Sequence, residues 1–147
     1  MPPFDLERFL PYRLSVAAAR VSRRLAARLE AEAGLSNPEW RVLAHLTRAG
    51  SVSVRDIHIR VDLDKSRVSR AASRLEEAGL VTKLGNETDR RLVALSLTEA
   101  GKSLMKRLER IADAFQADLL EELGRDAAGL EAALDRISRG TTNDDAL

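Results

Sequence analysis

The chain has 147 residues and a formal net charge of +1, from 24 Lys and Arg against 23 Asp and Glu. Hydrophobic residues make up 44% and charged residues 32%, which predicts a soluble globular chain and excludes a disordered or collagen-like one. With no cysteine, disulfides, thiolate metal sites and thiol-based redox sensing are excluded.

A chain of this length fits one compact domain. No apolar run approaches the roughly 20 residues that a membrane span needs, so no membrane partner is expected. The opening MPPFDLERFL carries acidic residues and prolines where a signal peptide needs a basic flank and an apolar stretch. The expected location is cytoplasmic.

In chain order, Pro11 belongs in the first turn of a helix, where its missing N–H costs nothing. Leu14, Ala17, Ala18, Val21, Leu25 and Leu29 then recur at helical spacing to about Ala33, and Gly34 ends the helix. Ser36-Asn37-Pro38-Glu39 reads as a capping box, with the serine oxygen accepting from the third backbone N–H and Glu39 reaching back to the cap. Trp40, Leu43 and Leu46 form the stripe of the second helix, which Gly50 stops. Residues 51–54 allow one short strand. Ser53 to Asp56 repeats the Ser-x-x-acid pattern and opens a short helix ending near Val61.

Residues 64–78 predict a helix with Asp64 as N-cap and Gly79 as stop. Val68, Ala71 or Ala72, and Leu75 share one face. Lys65, Ser66, Arg67, Ser69, Arg70, Ser73 and Arg74 occupy the other, and the acids Glu76 and Glu77 come only in the last turn. Dipole logic prefers the reverse order, acids first and bases last. A helix that gathers cations in its early turns calls for an anionic partner outside the chain, although a merely solvated face has the same composition.

Leu80 to Leu84 and Arg90 to Leu97 are β-prone, and the polar Gly85-Asn86-Glu87-Thr88-Asp89 between them predicts a hairpin. Thr98 caps a long helix to about Leu123 with Leu104, Leu108, Ile111, Phe115 and Leu119 in its stripe. A last helix spans about 126–138 with Leu130, Leu134 and Ile137, and residues 140–147 are expected to form a flexible tail.

The predicted fold is mainly α with a small β-hairpin wing. The helices around the Asp62-Leu63-Asp64 link make a helix-turn-helix whose basic second helix would enter a major groove. Arg90 and Arg91 follow the hairpin tip, within reach of an adjacent minor groove, whose negative potential attracts arginine. Between Arg55 and Arg91 nine Lys or Arg face seven Asp or Glu, a net of +2. So small an excess makes the placement of each cation decisive, and favours two copies acting together.

Three stretches carry a family resemblance: LSNPEWRVL at 35–43, DKSRVSRAASRLEEAGLV at 64–81, and DRRLVALSLTEAG at 89–101. In order and spacing they resemble the multiple-antibiotic-resistance regulator (MarR) family over about residues 9–138. The wing segment ending in Leu-Thr-Glu-Ala-Gly is specific only in combination with the basic helix before it. The resemblance implies a winged helix-turn-helix with N- and C-terminal dimerisation helices, and a transcription regulator that binds double-stranded DNA as a homodimer. It implies dimerisation through residues 1–34 and 99–139, a DNA-binding lobe over 35–98, and a pseudo-palindromic operator. It also implies an Asp-x-Arg pair in the wing, Asp89 and Arg91, with Asp89 orienting Arg91 into the minor groove. Many members are repressors released by small anionic aromatic ligands held between the dimerisation helices and the DNA-binding lobe. Members that sense oxidants through a cysteine are excluded as models for this chain.

Arg67 and Arg70 are the expected base readers, since arginine pairs bidentately with guanine; contact with phosphate alone remains open for each. Lys65, Ser66 and Ser69 would fix register on the backbone, Arg74 is expected on phosphate rather than on a base, and Lys83 completes the expected DNA-binding set. Leu14, Leu104, Leu108, Ile111, Phe115, Leu119, Leu130, Leu134 and Ile137 are the expected dimerisation residues, with intramolecular core as the alternative for the stripe from Leu104 to Leu119. Trp40 reads first as core, with ligand stacking as the alternative. Arg13, Arg20, Arg23 and Arg24 are ordinary solvent-face residues that could also line an anion cavity. His45 and His58 stand on different helices without a cysteine, so no metal is expected, and no cofactor beyond an aromatic anionic effector. No phosphate loop, nucleophile elbow or carboxylate pair argues for an enzyme. The rival reading is a winged-helix module that binds protein without specific DNA binding.

Overall fold

The computed structural model describes residues 2–53, 56–57, 64–85 and 93–141. After a 3-10 turn at Leu6–Arg8 come α1 (Leu10–Ala33), α2 (Asn37–Ala49), β1 (Val52–Ser53), α3 (Lys65–Glu77), β2 (Val81–Gly85), β3 (Val93–Leu97) and α4 (Glu99–Leu123). A second 3-10 turn at Gly124–Asp126 leads into α5 (Ala127–Thr141). The helix expected from Ser53 to Val61 is described only at Asp56 and Ile57, both helical. Asp56 N–H donates to Ser53 Oγ at 3.2 Å, as the Ser-x-x-acid pattern predicts. The rest of that helix, with His58, lies outside the described residues.

The chain divides into two compact units, residues 1–111 and 112–147, where its length predicts one domain. The boundary falls inside α4, a helix long enough to begin in one unit and end in the other. α5 runs through Thr141, so the helix continues past the expected tail boundary at Gly140.

In the first unit the sheet has the order β1-β3-β2. β2 and β3 are antiparallel, with Val81 opposite Leu97 and Gly85 opposite Val93. β1 joins the other edge of β3, where Val52 sits opposite Leu95; both side chains are buried. The core gathers Leu29 of α1, Val42, Leu43 and Leu46 of α2, Ile57, the apolar face of α3, Val81, Leu95, and Met105 and Leu108 of α4. Burying a side chain of this size contributes about 1.5–3 kcal/mol, so the buried face of α3 is a main determinant of how the helix sits on the lobe. Trp40 packs against this core, half-buried.

Leu108 was expected in a dimer seam. It is instead fully buried in the core of its own chain, with Leu104 and Ile111 packed alongside. These three belong to the half of α4 that covers the lobe, and their helical spacing is the same whichever surface they meet. Phe115 is buried and Leu119 half-buried in the second unit.

Candidate nucleic-acid interface

α3 is set on the lobe by four residues at 68, 71, 72 and 75, the i, i+3, i+4, i+7 spacing of one helical face. Val68, Ala71, Ala72 and Leu75 are all buried. Two alanines in that row bring the helix backbone close to α2. The opposite face holds Lys65, Ser66, Arg67, Ser69, Arg70, Ser73 and Arg74, every one exposed. Asp64 caps the helix, its Oδ1 accepting from Arg67 N–H at 2.8 Å. At the other end Gly79, at φ 74°, takes the left-handed conformation that closes a helix, and Leu80 N–H returns to Leu75 C=O at 2.9 Å.

The exposed cations differ in what already holds them. Arg67 Nε lies 3.3 Å from Asp64 Oδ2, a one-turn pair open to water at both ends, and such a pair is worth little. Lys65 and Arg70 take part in no ion pair among the described residues. Among the described residues, neither has an ion pair to give up on meeting an anion.

Arg74 is different. Its Nη1 lies 3.2 Å from Oε1 of Glu39 on α2. The Glu39 side chain is 10% exposed against 59% for Arg74, so the arginine is the counter-ion of a nearly buried carboxylate. Arg74, expected on phosphate, thus already has an internal partner while its side chain stays 59% exposed. The contact also revises the capping box: Glu39 N–H donates to Ser36 Oγ at 3.3 Å as predicted, but the Ser36 hydroxyl then donates to Glu39 Oε1 at 3.0 Å. Glu39 thus links the start of α2 to the last turn of α3. The only sequence signal for this role was an acid in the capping box thirty-five residues before the arginine, and spacing cannot connect the two.

Lys83, expected in the DNA-binding set, is half-buried. Its Nζ donates to Ser73 Oγ at 3.1 Å and sits 4.0 Å from Glu76 Oε1. These contacts tie β2 to the outer side of α3, because the lysine stem is long enough to cross from strand to helix. The wing residues Asp89, Arg90 and Arg91 lie outside the described residues.

The far end of the hairpin is fastened to the stop of α3. Thr98 N–H donates to Leu80 C=O at 3.1 Å, and the Thr98 hydroxyl donates to Gly79 C=O at 2.7 Å. The same oxygen accepts from Gly101 N–H at 3.0 Å, capping α4. A side chain at Gly101 would collide with the Leu80 carbonyl, so this junction admits only glycine. The Leu-Thr-Glu-Ala-Gly segment is therefore a packing device that joins recognition helix, wing and long helix.

No group of three or more His, Asp or Glu capable of holding a metal occurs among the described residues. No helix among them is long and apolar enough to cross a membrane. Along α1 an open groove of about 680 Å³ is lined by Tyr12, Arg13, Leu14 and Arg20 among others, which brings two of the expected anion-cavity arginines to one surface. Arg23 and Arg24 are not among its lining residues.

An exposed cationic helix backed by a buried face and followed directly by an antiparallel hairpin defines a winged helix protein of mainly helical build. The family model described as the MarR family matches residues 33–92. A crystal structure of a MarR/EmrR family transcriptional regulator from Acinetobacter sp. ADP1 is similar at TM-score 0.81 and 26% identity, over 96% of this chain and 99% of that one. The structure of NadR in complex with 4-hydroxyphenylacetate is similar at TM-score 0.70 and 25% identity, over 91% and 94%. Among curated proteins, the transcriptional repressor MdtR of Bacillus subtilis is 38% identical over 68 residues, 46% of this chain and 44% of that protein. The matched stretches span 65% and 44% of the first two curated relatives. Residues 33–92 thus resemble the MarR family, and the similar proteins named above are transcription regulators.

Proposed function

We propose that the protein is a repressor that binds a pseudo-palindromic operator as a homodimer, with α3 of each copy in a major groove. The observation that carries this reading is the outer face of α3, where Lys65, Arg67 and Arg70 stand exposed on a helix whose inner face is locked to the core. Arg67 and Arg70 are the base readers, Lys65, Ser66 and Ser69 hold phosphate, and Asp89, Arg90 and Arg91 follow the neighbouring minor groove. Arg74 and Lys83 act mainly by holding the helix in place.

The homodimer is supported by apolar residues left exposed near both ends of the chain, Leu10 and Leu14 on α1 and Leu130, Leu134 and Ile137 on α5. Exposed apolar patches of this kind mark association surfaces. Leu108, being internal, is not part of that surface. The assembly groups residues 1–34 and 99–139 as the dimerisation region around a lobe at 35–98. A small aromatic acid as effector is supported by the likeness to NadR, which was solved with 4-hydroxyphenylacetate.

The test is binding to a duplex from the region flanking the protein's own gene, against a random duplex, across a salt series. A DNA-binding dimer protects two half-sites about 10 bp apart. Its affinity falls with salt at a log–log slope near −0.9 per neutralised phosphate, about −0.9Z in total. A salt-independent interaction, or no footprint, overturns the reading in favour of a protein-binding module.

A further inference from the structure

The carboxylate of Asp64 does two things at the start of α3. Its Oδ1 accepts from Arg67 N–H at 2.8 Å, which caps the helix. Its Oδ2 lies 3.3 Å from Nε of the same arginine. One carboxylate thus holds both the backbone and the side chain of Arg67. The caps of α2 and α4, Ser36 and Thr98, are hydroxyls and carry no charge with which to hold a cation.

We propose that Asp64 is a positioning residue that commits Arg67 to one guanine in each operator half-site. The inference rests on the regulator reading above and deepens it. A guanidinium carries its donors in a rigid planar fork. With Nε turned toward Asp64, both η nitrogens remain, and Arg67 takes part in no other ion pair among the described residues. That pair of nitrogens is the fork that meets O6 and N7 of guanine. Arg67 stands in the first turn of α3, and the N-terminal residues of a recognition helix are the ones that reach base edges. Charge separates the two possible targets. A phosphate against Arg67 would sit beside the Asp64 carboxylate, which is 58% exposed, and like charges at that range repel. A guanine edge carries no net charge and meets no such penalty.

The other arginines of this face are arranged differently. Arg74 gives one η nitrogen to Glu39, so it has no free η pair. Arg70 has no ion partner among the described residues to orient its fork. An exposed pair such as Asp64 with Arg67 adds little stability. Ordering a long side chain on association costs a comparable amount, so even a weak pair selects the rotamer that meets the duplex.

The experiment presents the full chain with a library of random duplexes and sequences the bound fraction. It is repeated with Asp64→Asn, Arg67→Ala and the double variant, and salt series on a single random duplex accompany each. Asparagine caps a helix as well as aspartate, so the unfolding midpoint should not move, but its uncharged amide cannot hold Nε. The native chain should prefer guanine at one position of each half-site by about 5–150-fold. Arg67→Ala should abolish that preference. Asp64→Asn should lower it at the same position by about two- to fivefold, the range an exposed ion pair is worth. Affinity of Asp64→Asn for the random duplex should not fall, because a charge that repels phosphate has been removed. In the Arg67→Ala background, Asp64→Asn should change nothing at that position. An unchanged preference in Asp64→Asn, or an equal loss on every duplex, reduces Asp64 to a cap and overturns the proposal. So does a lower salt slope in Arg67→Ala with base preferences intact, the mark of a phosphate contact. Enriched sequences without such a guanine reject this proposal alone, whereas no enrichment and salt-independent binding reject the regulator reading with it.

Discussion

The lobe around α3 and the two ends of the chain use the same helical spacing of apolar residues and put it to opposite uses. On α3, Val68, Ala71, Ala72 and Leu75 are at most 1% exposed. On α1 and α5, Leu10, Leu14, Leu130, Leu134 and Ile137 remain 64%, 42%, 40%, 46% and 57% exposed. The first stripe meets its complement within the chain; the second does not. Periodicity states that a face is apolar, and only the fold states what covers it. The lobe is thus a self-sufficient support for a charged surface, and the ends carry the exposed apolar residues on which the proposed homodimer rests.

The comparison can be broken most severely at the lobe core. Leu75→Ala removes a fully buried side chain and is expected to cost about 2–5 kcal/mol of stability, read as a lower urea midpoint at constant slope. Leu134→Ala, at an exposed position, should change monomer stability by under about 0.5 kcal/mol. If the two substitutions cost the same in a chain shown to be monomeric, the contrast between core and ends fails.

Next in size is the cationic face. Arg70→Ala should weaken operator binding by about 1–3 kcal/mol and relax preference at one base pair, with the unfolding midpoint unmoved. A loss that is uniform across sequences would make Arg70 a phosphate contact instead.

Arg74→Ala sharpens the distinction within that face. It should lower stability by about 1 kcal/mol, allowing for the water that screens its exposed end, because it strands the Glu39 carboxylate. A double-mutant cycle with Glu39→Gln isolates the coupling. Additive effects of the two substitutions would mean that the 3.2 Å contact carries no energy.

The smallest effect on folding belongs to the ends. Leu134→Ser with Ile137→Ser should leave secondary structure intact while shifting sedimentation toward the monomer at micromolar concentration. Unchanged association would move the interface away from α5.

Much of the fold was legible because local chemistry announces it. Ser36, Asp64 and Thr98 accept the backbone N–H groups that a cap must satisfy. Gly34 and Gly79 supply the left-handed turns that end α1 and α3. The hairpin and the short strand at Val52–Ser53 followed from alternation and breakers, and the cationic face of α3 from charge order along one helix. Illegible were the links between residues far apart in the chain. Glu39 with Arg74, Lys83 with Ser73, and Leu108 in the lobe core each depend on how elements meet.

By itself the sequence determined the elements, their caps, and which helix presents cations, since all three depend on contacts within a few residues, where spacing and geometry are the same thing. Tertiary structure alone decided which of those cations are spare and which apolar stripes are already covered. A side chain's availability depends on neighbours that the chain brings together only when it folds.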